Sequence, residues 1–143
     1  MKISIPRIMA RVHADLVAQA DKAVDGFGLS RTRREELFDE FSHRLDEHFV
    51  FEEQGIFGFC DLEDKQVQTM VRRLRDEHEK LRQMAEEIAV DLSQDKHMDF
   101  SSFLSLFHSH QVFEDKSLYP RLNKDLSDDE KAKLWERIKN RKS

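Results

Sequence analysis

Apolar residues recur every three or four positions through most of this chain. Ile8, Val12, Leu16, Ala20 and Val24 form one stripe, and Leu37, Phe38, Phe41 and Leu45 a second. Val67, Met70, Val71, Leu74, Leu81, Ala85, Ile88 and Leu92 form a third, and Phe100, Phe103, Phe107 and Leu118 a fourth. That period predicts four long helices, each with one face in a core. Pro6 sits where a first helical position tolerates it, Gly26-Phe27-Gly28 ends the first helix, and Ser30 caps the second. The second helix is expected to run past Gly55 towards Phe59, since one glycine costs only about 1 kcal/mol. Asp61 is expected to cap the third helix, Ser93 to Met98 to form a turn, Asp99 to cap the fourth, and Pro120 to stop it. Ser127 and Glu130 make a capping box for a short helix through Leu134, Trp135 and Ile138, with Lys139, Arg141 and Lys142 suiting the dipole at its end.

Short connections make successive helices antiparallel. The predicted fold is therefore all-α: an up-down-up-down four-helix bundle with a short C-terminal helix. It reads as one domain over residues 1–143, built of two helical hairpins, about 4–59 and 61–120, plus the helix 127–141.

Polar residues interrupt the stripes at matching places. His48-Phe49-Val50-Phe51-Glu52-Glu53 has a counterpart in His110-Gln111-Val112-Phe113-Glu114-Asp115. Each sets a histidine and a glutamate four residues apart, on one helix face and about 6 Å from each other. Each then has a second acid, an aliphatic residue, an aromatic residue and a helix breaker: Ile56-Phe57-Gly58 in one, Leu118-Tyr119-Pro120 in the other. The odd-numbered helices repeat too, with Val12-His13 through Leu16 against Glu77-His78 through Leu81. His13 precedes His48 by 35 positions, and His78 precedes His110 by 32. Each hairpin thus donates one histidine from its first helix and a His-x-x-x-Glu pair from its second. Levels counted from the turns bring all six to mid-bundle.

Four imidazoles and two carboxylates are too many ligands for one tetrahedral ion. They suit two ions, each with two imidazoles and sharing two bridging carboxylates. Nitrogen and oxygen donors without thiolate fit iron first, then manganese or zinc. The candidate ligands are His13, His48, Glu52, His78, His110 and Glu114. Glu53 and Asp115 are candidates for orienting a ligand histidine or for replacing a ligand. Glu114 is favoured over Asp115 as the bridge, because an i+5 residue points about 140° round a regular helix. Unpaired carboxylates on faces of Phe and Leu would cost several kcal/mol, which metal or histidine partners offset. His43, His97 and His108 are expected at the surface.

Composition narrows the class. Charged residues make up 37% with only four Gly and two Pro, which favours helix over strand and turn. A formal charge of -5 leaves no footprint for nucleic acid. Arg31, Arg33 and Arg34 precede Glu35 and Glu36 and read as a solvated helix start. Cys60, the lone cysteine, forms neither an intrachain disulfide nor a thiolate zinc site. No signal peptide or membrane span is expected, and the expected location is cytoplasmic.

Taken together and in order, these motifs resemble the hemerythrin-like proteins with the HHE cation-binding domain. The carriers are His13, the run His48 to Glu53, Glu77-His78, and His110 with Glu114 and Leu118-Tyr119-Pro120. The resemblance covers nearly the whole chain. It implies a non-haem pair of iron ions, oxo- or hydroxo-bridged, that binds O2 or handles oxygen, nitric oxide, peroxide or iron. Two departures stand out. The oxygen carriers have a His-x-x-x-His pair on the third helix, where Leu74 holds the first position here. They also place an aspartate five residues after the last histidine, the spacing of Asp115. The missing histidine bears on reversible O2 carriage more than on iron binding, and it leaves one iron expected to be more open, more weakly held or ligated by another group.

The leading expectation is a di-iron protein that senses, stores or scavenges O2, NO or peroxide. Second stands a helical interaction module with structural or absent metal and a protein partner at Trp135 or at Arg31 to Arg34. A turnover enzyme ranks third, because no nucleophile, phosphate loop or acid–base pair exists apart from the metal set.

Overall fold

The computed structural model describes residues 2–25, 28–96 and 99–141, and among these the regular structure is entirely helical. Helix α1 (Ile5–Val24) is followed by α2 (Arg31–Phe51), a π-helical turn (Glu52–Ile56) and a 3-10 turn (Phe57–Phe59). Next come α3 (Lys65–Ser93), α4 (Ser101–Phe113), a second π-helical turn (Glu114–Leu118), α5 (Tyr119–Asp125) and α6 (Asp128–Lys139). Helix α1 packs along α2 and α5, α2 along α3, and α3 along α4, while α6 touches the first π turn. Among the described residues no helix is long and apolar enough to cross a membrane.

The caps explain most boundaries. Ser4 accepts from Arg7 N ahead of Pro6, and Ser30 accepts from Arg33 N. Asp64, not Asp61, caps α3, accepting from Gln66 and Val67 N; Asp61 instead accepts from Glu63 N in the turn before it. Asp99 accepts from Ser101 N, one residue ahead of the cap position at Phe100. The capping box at Ser127 and Glu130 is formed in both directions. Gly26, Phe27, His97, Met98 and Lys142 lie outside the described residues.

Two expectations change. The inward face of α1 carries Met9 and Ala23, whereas Ile8 and Val24 are half-buried. Pro120 does not end the helical course: α5 starts at Tyr119 with Pro120 in its first turn. A proline there sacrifices no hydrogen bond that the helix needs, and the wide π turn ahead of it breaks the ladder first.

The core is two apolar clusters with a polar layer between them. One holds Ile5, Met9, Val12, Ile56, Phe57, Val71, Leu74, Tyr119 and Leu122, and α6 joins it through Leu134 and Ile138. The other holds Leu16, Ala20, Phe38, Phe41, Leu45, Phe49, Leu81, Ile88, Phe103 and Phe107. Each long helical run crosses from one cluster to the other at its histidine or glutamate of the polar layer. Helices α1 and α3 leave the first cluster for the second; the α2 and α4 runs do the reverse.

Candidate metal centre

The polar layer consists of His13, His48, Glu52, His78, His110 and Glu114, every one buried, with both glutamates at 0% exposure. Such groups survive in a core only with partners. The Nε2 atoms of all four histidines and the Oε1 atoms of both glutamates are buried without a hydrogen bond. They converge instead. His48 Nε2 lies 3.1 Å and His78 Nε2 3.3 Å from Glu52 Oε1. His110 Nε2 lies 3.3 Å and His13 Nε2 3.5 Å from Glu114 Oε1. Two sets of ligand atoms result, His13-His48-Glu52-Glu114 and Glu52-His78-His110-Glu114, each with its atoms within 4.8 Å of one another. Both glutamates belong to both sets. Four imidazole nitrogens and two carboxyl oxygens aimed at a common space are a ligand set for cations.

The opposite sides of the rings face outer carboxylates. His110 Nδ1 is hydrogen-bonded to Glu77 Oε1 at 2.9 Å, His13 Nδ1 lies 3.0 Å from Asp115 Oδ1, and His78 Nδ1 3.5 Å from Glu53 Oε2. An outer carboxylate of this kind turns Nε2 inward as the free lone pair. Arginines back two of the three: Arg73 Nε donates to Glu77 at 3.2 Å, and Arg82 Nη2 donates to Glu53 at 2.9 Å while also binding Asp46 and Glu79. Asp115 therefore faces His13 from outside while Glu114 takes the shared inner position.

Each π turn begins on the glutamate of a repeat. The wide turn takes in one extra residue, so the positions after it rotate relative to a regular helix. That brings Tyr119, five residues past Glu114, back to the same face. Its buried hydroxyl donates to Glu52 Oε2 and lies 3.2 Å from Glu114 Oε2. The ring of Phe49 stacks on His78 at 4.0 Å between centroids, with Phe57 parallel to it at 5.9 Å.

Burial disfavours the charged form of two of the imidazoles. It lowers His48 against the pull of Glu52, and it lowers His110 to about 4 against Glu52 and Glu77. The glutamates divide one proton between them. Burial opposes ionisation of Glu52, but the neighbouring His48, Glu114 and His78 outweigh it, and its carboxyl sits well below the usual range. Burial and then the charge of Glu52 push Glu114 well above that range. In the metal-free centre Glu52 is thus held ionised and Glu114 protonated, with that proton to displace before both glutamates can ligate.

A family model, the hemerythrin HHE cation binding domain, matches residues 5–122. The chain belongs to this family. No curated protein and no solved structure matches it. The hemerythrin match takes in all six inner residues and stops before α6. A buried His/Glu cluster able to hold metal is what a cation-binding domain of this kind requires.

Other candidates lie elsewhere. His43 is exposed and 2.7 Å from Glu47, and His108 is exposed; His97 is outside the described residues. The thiol of Cys60 is pushed up to about 11 by burial and by Asp125. Leu74 is fully buried in the first apolar cluster, so the place of the carriers' extra histidine is filled by core. Sequence reasoning assigned no role to Glu77, Tyr119, Arg73 or Arg82. Arg73 and Glu77 were visible as an i,i+4 pair beside His78. Tyr119 was not accessible to helical counting, because only the π turn brings it inward.

Proposed function

We propose that this hemerythrin-family chain is a non-haem di-iron protein that binds or responds to O2, NO or peroxide, as a sensor, store or scavenger. The observation that carries the reading is the pair of four-ligand sets sharing Glu52 and Glu114. Two imidazoles on each set and no thiolate favour iron, with manganese and zinc behind it. The alternation of the two apolar clusters along successive helices supports an up-down-up-down bundle of two hairpins, with each hairpin contributing three ligands.

Bound ferrous ions would supply the electrons and the coordination positions that such oxidants require. The protein's own residues do the rest. Glu77, Asp115 and Glu53 hold the imidazoles with Nε2 inward, Tyr119 holds the outer oxygens of both glutamates, and Phe49 and Phe57 keep water from His78. Glu114 gives up its proton when both carboxylates are engaged.

The test is metal analysis of protein purified without a chelating tag, with absorption spectra of the reduced protein before and after exposure to air. Two irons per chain, and new near-ultraviolet bands on oxidation, are expected. Zinc, a single ion or no metal would overturn the reading and favour the interaction module.

A further inference from the structure

The four histidines are not equally enclosed. His78, His110 and His13 are 0%, 1% and 3% exposed, and His48 is 8% exposed. The difference has a location. A cavity of about 80 Å³ lies between α1 and α2, with His48 at one end and Asp15, Gln19, Arg44 and Arg141 around it. A polar space of that size holds several waters, since a single water needs only about 10–15 Å³. Val12, Asp15 and Arg141 also line a second, larger groove of about 470 Å³ between α1 and α6, together with Lys2, Arg7, Arg11 and Trp135. The two spaces adjoin at Val12, Asp15 and Arg141, and their linings make one stretch from α6 to His48.

The charge along that stretch is one-sided. Five cations line it, Lys2, Arg7, Arg11, Arg44 and Arg141, against Asp15 as the one acid among the lining residues. This stands out in a chain of formal charge -5. The guanidiniums are only partly engaged. The nearest carboxylate to Arg44 is Glu40 at 3.8 Å, and Arg141 uses one nitrogen on Ile138 O. Gln19, oriented to pair with it, offers its amide oxygen to Arg44 at 3.2 Å. Arg141 lies beyond the family match, which stops at residue 122.

We propose that these adjoining cavities are a binding site for a small monovalent anion, an oxyanion or pseudohalide of a few atoms, held between Arg44 and Arg141 beside His48. Clefts of one charge sign concentrate counter-ions and raise their association rates about 10–10³-fold. A guanidinium fork matches a bent or planar oxyanion better than an ammonium does. Delivery of the anion onto a di-iron centre rests on the function proposed above; the binding itself does not.

The experiment therefore uses the metal-free full chain. Sodium azide is titrated at constant ionic strength with sodium gluconate, following the imidazole resonances of His48 and the guanidinium resonances of Arg44 by NMR. Saturable shifts at both are expected, at least about 5-fold weaker in the Arg44→Gln/Arg141→Gln variant. Trp135 is the sole tryptophan and reports the outer groove by fluorescence. Its quenching by iodide is expected to fall several-fold in an Arg7→Gln/Arg11→Gln variant, with quenching by neutral acrylamide unchanged. Shifts at His48 that are absent, or equal in the variant, overturn the proposal. So does iodide quenching that is unchanged in the Arg7→Gln/Arg11→Gln variant. Absence of iron from purified protein would overturn the di-iron reading and leave this titration unaffected.

Discussion

Replacing Tyr119 with phenylalanine removes one hydroxyl from the middle of the polar layer and little else. The ring is fully buried between Leu118 and Leu122 on the first apolar cluster, and phenylalanine keeps that packing. What disappears is the hydrogen bond to Glu52 and the 3.2 Å contact with Glu114. A hydrogen bond to a charged acceptor contributes about 1.5–3 kcal/mol, and an acceptor left buried without a partner costs about 1–3 kcal/mol more. Glu52 is such an acceptor, fully buried and held ionised. A protonation or a trapped water recovers part of that, so the expected loss in the metal-free chain is about 2–4 kcal/mol. For a chain of this size that is a fall in Tm of roughly 5–15 °C. Urea and thermal unfolding of chelator-treated Tyr119→Phe and parent protein measure it. In the loaded protein the loss should shrink, because a cation on Oε1 draws charge from the oxygen that the tyrosine served. A metal-free loss below about 0.5 kcal/mol would refute the reasoning. It would mean that the hydroxyl does not hold the two carboxylates together.

Three further outcomes follow from the same site. Glu114→Gln imitates the protonated form and should change metal-free stability by under about 1 kcal/mol, whereas Glu52→Gln should cost about 2–4 kcal/mol; both should abolish tight metal retention, read by elemental analysis after dialysis. Glu77→Ala and Arg82→Ala should fold and bind metal about 10–100-fold more weakly, measured by competition with a chelator. The centre's contribution to metal-free stability should peak near pH 6.5. Below 6.5, His48 and His110 stay neutral when folded but take protons when unfolded, down to about pH 4 for His110. That destabilises the fold as pH falls. Glu114 works the other way above 4.5, being protonated when folded and ionised when unfolded. Two histidines outweigh one glutamate below 6.5, for a net loss of up to about 1.4 kcal/mol per pH unit. Above 6.5 Glu114 alone remains, so stability declines with rising pH until metal displaces its proton. Urea unfolding at several pH values, with and without iron, checks the reversal.

Much of this was present in the order of residues. A period of three to four made the helices, and polar residues recurring on apolar faces marked His13, His48, Glu52, His78, His110 and Glu114 as one set. Local chemistry settles such features: a side chain's face depends on its position in its own helix, and a buried carboxylate announces itself wherever it interrupts a run of Phe and Leu. The caps at Ser30 and Ser127 were readable for the same reason. Helical counting fails where the helix is not regular. Both π turns begin on the glutamates, and no propensity distinguishes a wide turn from an ordinary one; with them went Tyr119 and the continuation past Pro120. Tertiary structure alone decided that Glu77 of α3 serves His110 of α4, that Arg82 backs Glu53 across helices, and that Leu74 is enclosed while His48 borders a cavity. These are pairings between residues 29 to 33 positions or more apart in the chain, and they depend on how the helices are rotated and staggered against one another. Packing sets that rotation, and a one-dimensional pattern does not contain it.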